Sequence, residues 1–204
     1  MLNLFVMTKP KQTRAASKAE TSAQLIKTAR QHFFEHGYAG TSMDALAEDA
    51  GLTRGAIYHN FGGKEGLFEA VIQQIDDELS EKLLDVEVGG TTLLEAFIAT
   101  CCLYLDLTLD PEVQQLVFQD APAVLGQRLR DLDTKGSIAP LAEALTELIA
   151  EGTFVPADVE SLAVMLNGAM IDAALWIARQ ANKQTALQTA KASLETLILG
   201  LSKT

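Results

Sequence analysis

Apolar residues recur along this chain every three or four positions, the spacing of amphipathic helices, and hardly ever alternate with polar residues over a long run. A capping-box pattern at Ser17-x-x-Glu20 is expected to open the first helix, and Gly37 to end it as a left-handed cap. Similar start and stop signals divide the rest of the chain. The pattern therefore predicts an all-α fold of about nine helices without strands.

The later predicted helices are mostly longer and more apolar than the second and third. Residues 1–16 precede the first helix signal and are expected to be a disordered basic lead. Four helices are predicted to follow the first: 43–50 opened by Thr41 or Ser42, Thr53 to near Phe61, a long one from Lys64, and one capped by Thr92-x-x-Glu95. The later ones are predicted from Asp110-Pro111 to about Asp120, as one short helix in the stretch punctuated by Pro122, Gly126 and Gly136, as one that starts in that stretch and ends near Glu151, over 157–181, and from a cap at Thr185-x-x-Gln188.

Residues 41–61, TSMDALAEDAGLTRGAIYHNF, join two short predicted helices through a tight turn at Gly51, which is the helix-turn-helix pattern. The residues expected to pack inward are Ala45, Leu46, Ala50, Leu52 and Ile57. The outer face of the second of these helices has few core-sized residues, so it can enter the major groove of DNA. The residues predicted to contact DNA are Thr41, Ser42, Thr53, Arg54, Gly55, Ala56, Tyr58, His59, Asn60 and Lys64.

These residues are expected to divide into two roles. Arg54 is expected to read base edges, since Arg on guanine is the commonest specific contact; the alternative is a solvated charge at a helix start. Thr41, Tyr58, His59 and Lys64 are expected to flank the helix as phosphate contacts, which position it without reading sequence. The alternative for Tyr58 is a core ring whose hydroxyl reaches the surface.

Charge is unevenly distributed. The formal net charge of -11 argues against nucleic-acid binding by the chain as a whole. Residues 1–65, however, carry eight Lys and Arg against six Asp and Glu, whereas residues 66–204 carry eight against twenty-one. Such asymmetry suits a small nucleic-acid-binding module on an acidic body, and equally a flexible basic tail on an acidic protein.

The segment HFFEHGYAGTSMDALAEDAGLTRGAIYHNFGGKEGLFEAV, residues 32–71, resembles the DNA-binding domain of TetR-family transcriptional regulators, over roughly residues 17–80. Asn60 departs from the pattern, since many members carry His there, which puts that one phosphate contact in doubt. The positions that match are Phe33, Gly37, Thr41, Leu46, Ala47, Gly51, Gly55, Tyr58, Phe61, Lys64 and Leu67.

The resemblance implies an all-α homodimer with two parts. Residues 17–64 would form an N-terminal three-helix DNA-binding domain, and residues 65–204 a C-terminal helical domain for effector binding and dimerisation. It also implies a double-stranded DNA operator, an unidentified small-molecule effector, and, at the level of the family, a repressor rather than an activator. Neither the effector nor the operator sequence follows from the resemblance.

The last two predicted helices suggest how two copies meet. The helix over 157–181 is apolar on two sides and the last helix has its own apolar stripe, so we expect a four-helix bundle about a two-fold axis. The alternative is that both faces are buried within one subunit.

An effector pocket is expected between helices of the second part, mostly apolar with few polar groups. Asn167 is the polar residue most out of place on an apolar stretch, so it is expected to orient the ligand, a neutral or mildly cationic hydrophobic compound. The alternative is that this set is ordinary core. The residues predicted to line the pocket are Phe97, Cys101, Tyr104, Phe118, Asn167, Met170 and Trp176.

Other chemistry is not expected. His32 and His36 have no spaced partners for a metal and are expected at the surface, and Asp76-Asp77-Glu78 is expected to be a solvated face. Cys101 and Cys102 are expected to be small buried hydrophobes, with a redox sensor as the alternative. We expect no cofactor, no metal and no catalytic constellation, and therefore not an enzyme.

No apolar run approaches ~18 residues, so no membrane span is expected, and Met1–Met7 lacks the layout of a secretory signal. The expected protein is a cytoplasmic, ligand-responsive DNA-binding regulator. A second class stays open, namely a helical interaction or enzyme-like body whose helix-turn-helix is vestigial. Salt-dependent retention on heparin would separate the two, since affinity for DNA rests mainly on phosphate neutralisation.

Overall fold

Helices build nearly all of the structure. The computed structural model describes residues 14–84 and 92–203, and within them the only β pairing is an isolated antiparallel bridge between Phe154 and Ser202. The predicted all-α class is confirmed. The helices are α1 (Arg14–Gly40), α2 (Met43–Asp49), α3 (Arg54–Phe61), α4 (Lys64–Leu84), α5 (Leu93–Leu107), π1 (Val113–Asp120), α6 (Ala121–Leu125), α7 (Gln127–Asp133), π2 (Thr134–Ile138), α8 (Ala139–Ala150), α9 (Val159–Ala178) and α10 (Lys183–Leu199), where π marks the wider helical turn.

Three predicted helix starts are confirmed by side-chain caps. The Ser42 hydroxyl accepts from the backbone N–H of Ala45, and the Thr53 hydroxyl from that of Ala56 at 3.2 Å. Thr92 and Glu95 form the predicted reciprocal capping box. These caps work because each hydroxyl or carboxylate satisfies a backbone N–H that has no partner within its helix.

Two predicted starts are wrong. Ser17 and Glu20 lie inside α1, which already includes Arg14, because the Arg-Ala-Ala run before Ser17 favours helix strongly. The last helix is capped by Asn182, whose side chain accepts from the backbone N–H of Thr185 at 3.0 Å. Asn is at least as good an N-cap as Thr, so α10 starts about one turn early.

The prediction that Gly37 ends α1 as a left-handed cap is wrong. Its φ of 69° is positive, whereas its ψ of 166° lies far from the left-handed helical region. The helix is therefore kinked at Gly37 and helical backbone continues to Gly40.

Apolar side chains form two buried clusters. The first joins α1–α4 to π1 and α6, with Phe33 and Phe68 edge to face at 4.9 Å between ring centroids. The second joins α5, α8, α9 and α10. Their fully buried centres include Leu46, Leu67 and Leu116 in the first and Leu105, Leu145 and Ile198 in the second.

One helix of the described residues, Val159–Ala178, is long and apolar enough to cross a membrane by length and composition alone, although no such helix was expected. In the fold one face of this helix lies in the core, and about a third of its apolar stretch is buried. Ala163, Leu166 and Met170 are buried in the second cluster, and α9 packs against α5, α8 and α10.

Candidate DNA-binding surface and ligand cavity

The crossing of α2 and α3 forms the predicted helix-turn-helix. Leu46, Ala50 and Ile57 are buried as expected, and Leu52 in the turn packs against them. Ala45 is exposed, and Ala47 takes its place in the core. The reason is helical spacing: positions 43, 46, 47 and 50 share one face of α2, whereas position 45 lies off it.

The outer face of α3 is open to solvent. Tyr58 is 50% exposed, which excludes the alternative of a core ring. Ala56 is half-buried, and Ser42 is exposed at the start of α2. The predicted contact residues that share the exposed α3 face are Thr53, Arg54, Gly55, Tyr58 and His59.

Arg54 lies across this face, held by two exposed partners. Its Nη1 is 3.2 Å from Oδ1 of Asp44, and its guanidinium carbon is 5.8 Å from the ring centroid of Tyr58. Exposed ion pairs contribute only about 0–1 kcal/mol, so DNA can compete for this guanidinium. Asp44 is thus an acidic neighbour of the residue expected to read base edges.

Lys64 and Thr41 are engaged within the protein. The ammonium of Lys64 donates to the backbone carbonyl of Thr41 at 2.7 Å and lies 4.7 Å from the ring centroid of Tyr38. Burial lowers the pKa of Lys64 below its usual range. The buried Thr41 hydroxyl bonds to backbone carbonyls of α1 at His32 and Gly37, 3.0 and 2.8 Å away. In this structure Lys64 therefore fastens the start of α4 to the connection between α1 and α2, and Thr41 fastens that connection to α1.

Asn60 is turned toward α1. Its amide donates to the carbonyl of Ala56 at 2.8 Å, and its Oδ1 accepts from the Ser22 hydroxyl at 3.4 Å. This side chain thus orients α3 on α1.

The expectation that His32 lies at the surface is wrong. His32 is 9% exposed because α2 packs across α1 and covers it. Its Nε2 is 2.8 Å from Oδ2 of Asp49, and its buried Nδ1 has no hydrogen-bond partner. His36, one turn later, is exposed as expected.

A cavity of about 360 Å³ lies between α4, α5, π1, π2, α8 and α9. It brings together six of the seven residues predicted to line a pocket, namely Phe97, Cys101, Tyr104, Phe118, Asn167 and Met170. The seventh, Trp176, lies on the surface and is 45% exposed. It follows Asn167 by nine residues, two and a half helical turns, which places it on the opposite side of α9.

Two carboxylate side chains lie in the otherwise mostly apolar wall of this cavity. Asp76 of α4 and Asp133 of α7 both line it, and the expectation of a solvated face at 76–78 is wrong for Asp76. Burial, helped by the charges of Asp133 and Asp77, raises the pKa of Asp76 to about 6. Burial likewise raises the pKa of Asp133. Of the acidic triplet, only Asp77 is exposed as expected.

Asn167 and Cys101 are two buried residues of the cavity wall that carry polar atoms. Asn167 is 5% exposed, and its Oδ1 has no hydrogen-bond partner within residues 14–84 and 92–203. Cys101 is 3% exposed, and burial raises the pKa of its thiol to about 12. Since the thiolate is the reactive form, this supports the small-hydrophobe interpretation over the redox sensor.

Comparisons with known proteins decide the family. Residues 25–71 match the family described as bacterial regulatory proteins, tetR family, and residues 94–201, more than half of the chain, match the tetracyclin repressor-like C-terminal domain. A crystal structure of a TetR-family transcriptional regulator from Pectobacterium atrosepticum is 41% identical, with a TM-score of 0.80 over 94% of this chain and 98% of that one. This chain belongs to the TetR family. It is accordingly a transcriptional regulator, which is not an enzyme class.

Two further relatives differ in what they share with this TetR-family regulator. The transcriptional repressor AcnR of Corynebacterium glutamicum is 41% identical over 68 residues, 33% of this chain and 36% of AcnR, so the match spans about a third of that relative. The crystal structure of RolR in complex with resorcinol is 19% identical, with a TM-score of 0.71 over 90% of both chains, and shows a shared fold.

In this regulator an ion-pair cluster joins α1 to the part of the chain that holds the cavity. The Arg30 guanidinium donates to both oxygens of Glu112, at 2.8 and 2.7 Å, and to Glu78 of α4 at 2.6 Å. The hydrogen bonds to Glu112 and Glu78 raise the pKa of Arg30, and the hydrogen bond from Arg30 lowers the pKa of Glu78. The backbone N–H of Tyr38 donates to Asp120 of π1 at 2.9 Å.

Sequence reasoning missed this cluster. The two carboxylate partners of Arg30 lie 48 and 82 residues away along the chain. Helical spacing reports neighbours three or four residues apart, so no local signal indicates a pair at this separation.

Proposed function

We propose that this protein is a ligand-responsive repressor that binds a pseudo-palindromic operator as a homodimer and releases it when a small hydrophobic effector enters the cavity. The proposal keeps the division into a DNA-binding domain over residues 17–64 and an effector-binding and dimerisation domain over 65–204. Such a protein acts on DNA in the cytoplasm and needs no membrane.

The DNA-binding arm rests on the exposed face of α3. Arg54 and Thr53 at its start would meet base edges, and Tyr58 and His59 would reach phosphates along its flank. Lys64, Thr41, Ser42 and Asn60 would complete the contacts at the edges. For Lys64, Thr41 and Asn60 this requires exchanging the internal hydrogen bonds they now make, so their larger contribution is to position α3.

The dimer arm rests on exposed apolar residues of α9 and α10. Met165 is 67% exposed and Trp176 is 45% exposed, and their eleven-residue separation places them on one side of α9. Leu197 of α10 is 53% exposed. Large apolar side chains in such numbers mark an association surface, and a second copy pairing α9 and α10 with their symmetry mates would cover them.

The observation that carries the proposal is the course of α4. This helix begins at Lys64, which bonds to the start of the helix-turn-helix, and reaches Asp76 in the cavity wall. The two residues are separated by roughly 18 Å of continuous helix. A ligand that shifts α4 at the cavity therefore also shifts the recognition helix.

Release of the DNA would follow from a change in the distance between the two α3 helices of the dimer. In a two-fold dimer the two α3 helices must sit in successive major grooves, about 34–36 Å apart. An effector that binds better to a subunit arrangement with another spacing lowers DNA affinity, by no more than its differential affinity for the two arrangements. That AcnR is named a repressor and that RolR was crystallised with resorcinol support, by analogy, repression and a small effector.

The test is selection of duplexes by the purified protein from fragments of DNA upstream of its own gene, followed by sedimentation of the complex. We expect a bound pseudo-palindrome with half-sites about 10 base pairs apart, occupied by two copies of the chain. A monomer at micromolar concentration would overturn the dimer. Failure to be retained on heparin at low salt would favour the alternative of a vestigial helix-turn-helix.

A further inference from the structure

The charged side chains that line the cavity are both carboxylates. Asp76 and Asp133 both line it, and the charge of Asp133 raises the free-energy cost of ionising Asp76. Among the residues that the structure describes, no Lys, Arg or His lines the cavity. The carboxylate of Asp76 makes no hydrogen bond or ion pair with any described residue, and Arg130 offsets the charge of Asp133 only in part.

The approach of Asp76 to this site depends on Gly136 of π2. A Cβ atom built on Gly136 would collide with the Asp76 carboxylate, whose Cγ would lie 3.0 Å from it. The absence of a side chain at 136 thus leaves room for the carboxylate beside the backbone of π2. An alanine there would displace Asp76.

Asn167 is an independent sign that the cavity holds a ligand. Its side chain lines the cavity, the residue is only 5% exposed, and its Oδ1 accepts no hydrogen bond from any residue that the structure describes. Buried polar atoms normally have a partner, and an orphaned one destabilises the fold. A molecule in the cavity that donates a hydrogen bond would satisfy it.

The lining of this site suits an organic cation better than a metal ion. Most of the wall is apolar or aromatic, including Phe97, Phe118 and Met170. Calcium and magnesium ions prefer six or more oxygen ligands, and the described residues contain no group of three His, Cys, Asp or Glu that could hold a metal ion. A protonated amine needs one or two carboxylates and leaves its apolar body for the remaining wall.

We propose that the effector of this regulator is a lipophilic organic cation, whose protonated amine binds between Asp76 and Asp133 while its apolar body fills the cavity beside Asn167. This inference rests on the proposed function in taking the cavity as the effector site. It narrows the effector from a hydrophobic compound to a cationic one.

The test compares three molecules with one skeleton: 4-phenylbutylamine, 4-phenylbutanol and 4-phenylbutyrate. Their binding to the purified dimer is measured by titration calorimetry without DNA at pH 7.5. The amine should bind about ten- to a hundredfold more tightly than the alcohol, because a hydrogen bond to a charged group strengthens binding by about that factor. The carboxylate should bind least. Equal binding of amine and alcohol, or no binding of the amine, overturns the proposal.

Variants locate the amine. Asp76→Asn and Gly136→Ala should each remove most of the preference for the amine and leave the alcohol unaffected or better bound. Asp77→Asn is the matched control, because it makes the same charge change one residue away on an exposed side chain that accepts a hydrogen bond from Gln73. If Asp77→Asn lowers amine affinity as much as Asp76→Asn does, the effect is long-range charge and the assigned position is wrong.

The pH dependence provides a second readout. The groups that act on Asp76 are Asp77 and Asp133, with Tyr104 beside both cavity carboxylates and Arg130 acting on Asp133. Because the pKa of Asp76 is about 6, amine affinity should fall below pH 6 as a proton competes, while alcohol affinity stays flat. A flat profile for the amine between pH 5 and 7.5 contradicts the proposal.

A final arm separates this inference from the proposed function. The same three molecules are added to the complex of the protein with its selected duplex. Amine binding without DNA release would leave the cation site standing and overturn effector-driven release. DNA binding with release by the alcohol alone would keep the regulator and overturn the cation site.

Discussion

Arg30 holds Glu112 through two parallel hydrogen bonds, of 2.8 and 2.7 Å, across 82 residues of sequence. This pair fastens α1, which supports the helix-turn-helix, to the residue that precedes π1. Val113, the next residue, lies both in the first apolar cluster and in the cavity wall. The pair is therefore a physical link between the ligand site and the DNA-binding helices.

Glu112→Gln should weaken this link. It removes the charge but keeps the size, leaving Arg30 with Glu78 as its remaining carboxylate, and we expect a loss of about 1–3 kcal/mol in the free energy of unfolding. Effector binding should persist while the effector-induced drop in DNA affinity shrinks. Urea unfolding and DNA titrations with and without effector measure the two effects. Glu35→Gln, at an exposed pair with Gln31 on α1, is the control.

Arg54→Ala should cost about 1–3 kcal/mol on the operator and relax base preference at one position, because a guanidinium at a recognition-helix start reads a base edge. Asp44→Asn should act in the opposite direction, since it frees Arg54 from its 3.2 Å ion pair and removes a negative charge near phosphates. Anisotropy titrations on operator and random duplex measure both. Wild-type binding by both variants would show that α3 is not the reading helix.

Gly66→Ala should disrupt the junction between α3 and α4. A Cβ at this position would collide with the backbone carbonyl of Phe61, which cannot move aside as a side chain can. We expect a loss of about 1–3 kcal/mol in stability and weaker DNA binding, because α3 must tilt. Thermal unfolding tests this against Gly40→Ala, where the new Cβ would meet only His36 Cβ at an ordinary 3.6 Å.

Asp76→Asn should stabilise the protein without ligand at neutral pH. The folded pKa of about 6 lies above the ordinary 3.8, so ionised Asp76 destabilises the fold; the penalty grows as pH rises from about 4 and is complete above 6. Solvent screening at this half-buried group reduces the gain to about 1 kcal/mol. Unfolding at pH 7.5 and pH 4 measures it. A gain that does not diminish at pH 4 would refute an electrostatic cause.

The features that the sequence predicted well are local ones. Ser42, Thr53 and the Thr92–Glu95 box cap their helices because capping needs only a side chain and a backbone N–H within three residues. The six cavity residues followed from the apolar stripes of α5, π1 and α9 once the family arrangement brought them together.

The features that the sequence did not predict depend on what packs on a helix from elsewhere. His32 is buried because α2 covers it, and Asp76 faces a cavity because π2 lies beside it without a side chain at Gly136. Trp176 was assigned to the cavity by its aromatic character, although its helical angle places it opposite Asn167. A charge pattern such as Asp76-Asp77-Glu78 indicates composition, not which of its members a distant helix will cover.

The most direct test of the central claim, that ligand in this cavity controls DNA affinity, is the operator affinity of Cys101→Trp with and without 4-phenylbutylamine. Tryptophan at 101 would fill space at the cavity wall, to which none of the described residues of α3 contributes. Without the amine, we expect the Cys101→Trp variant to bind the operator with wild-type affinity. At amine concentrations that release the wild-type protein from the operator, we expect the variant to stay bound. Release of the variant at the wild-type amine concentration would place the effector elsewhere and contradict the account.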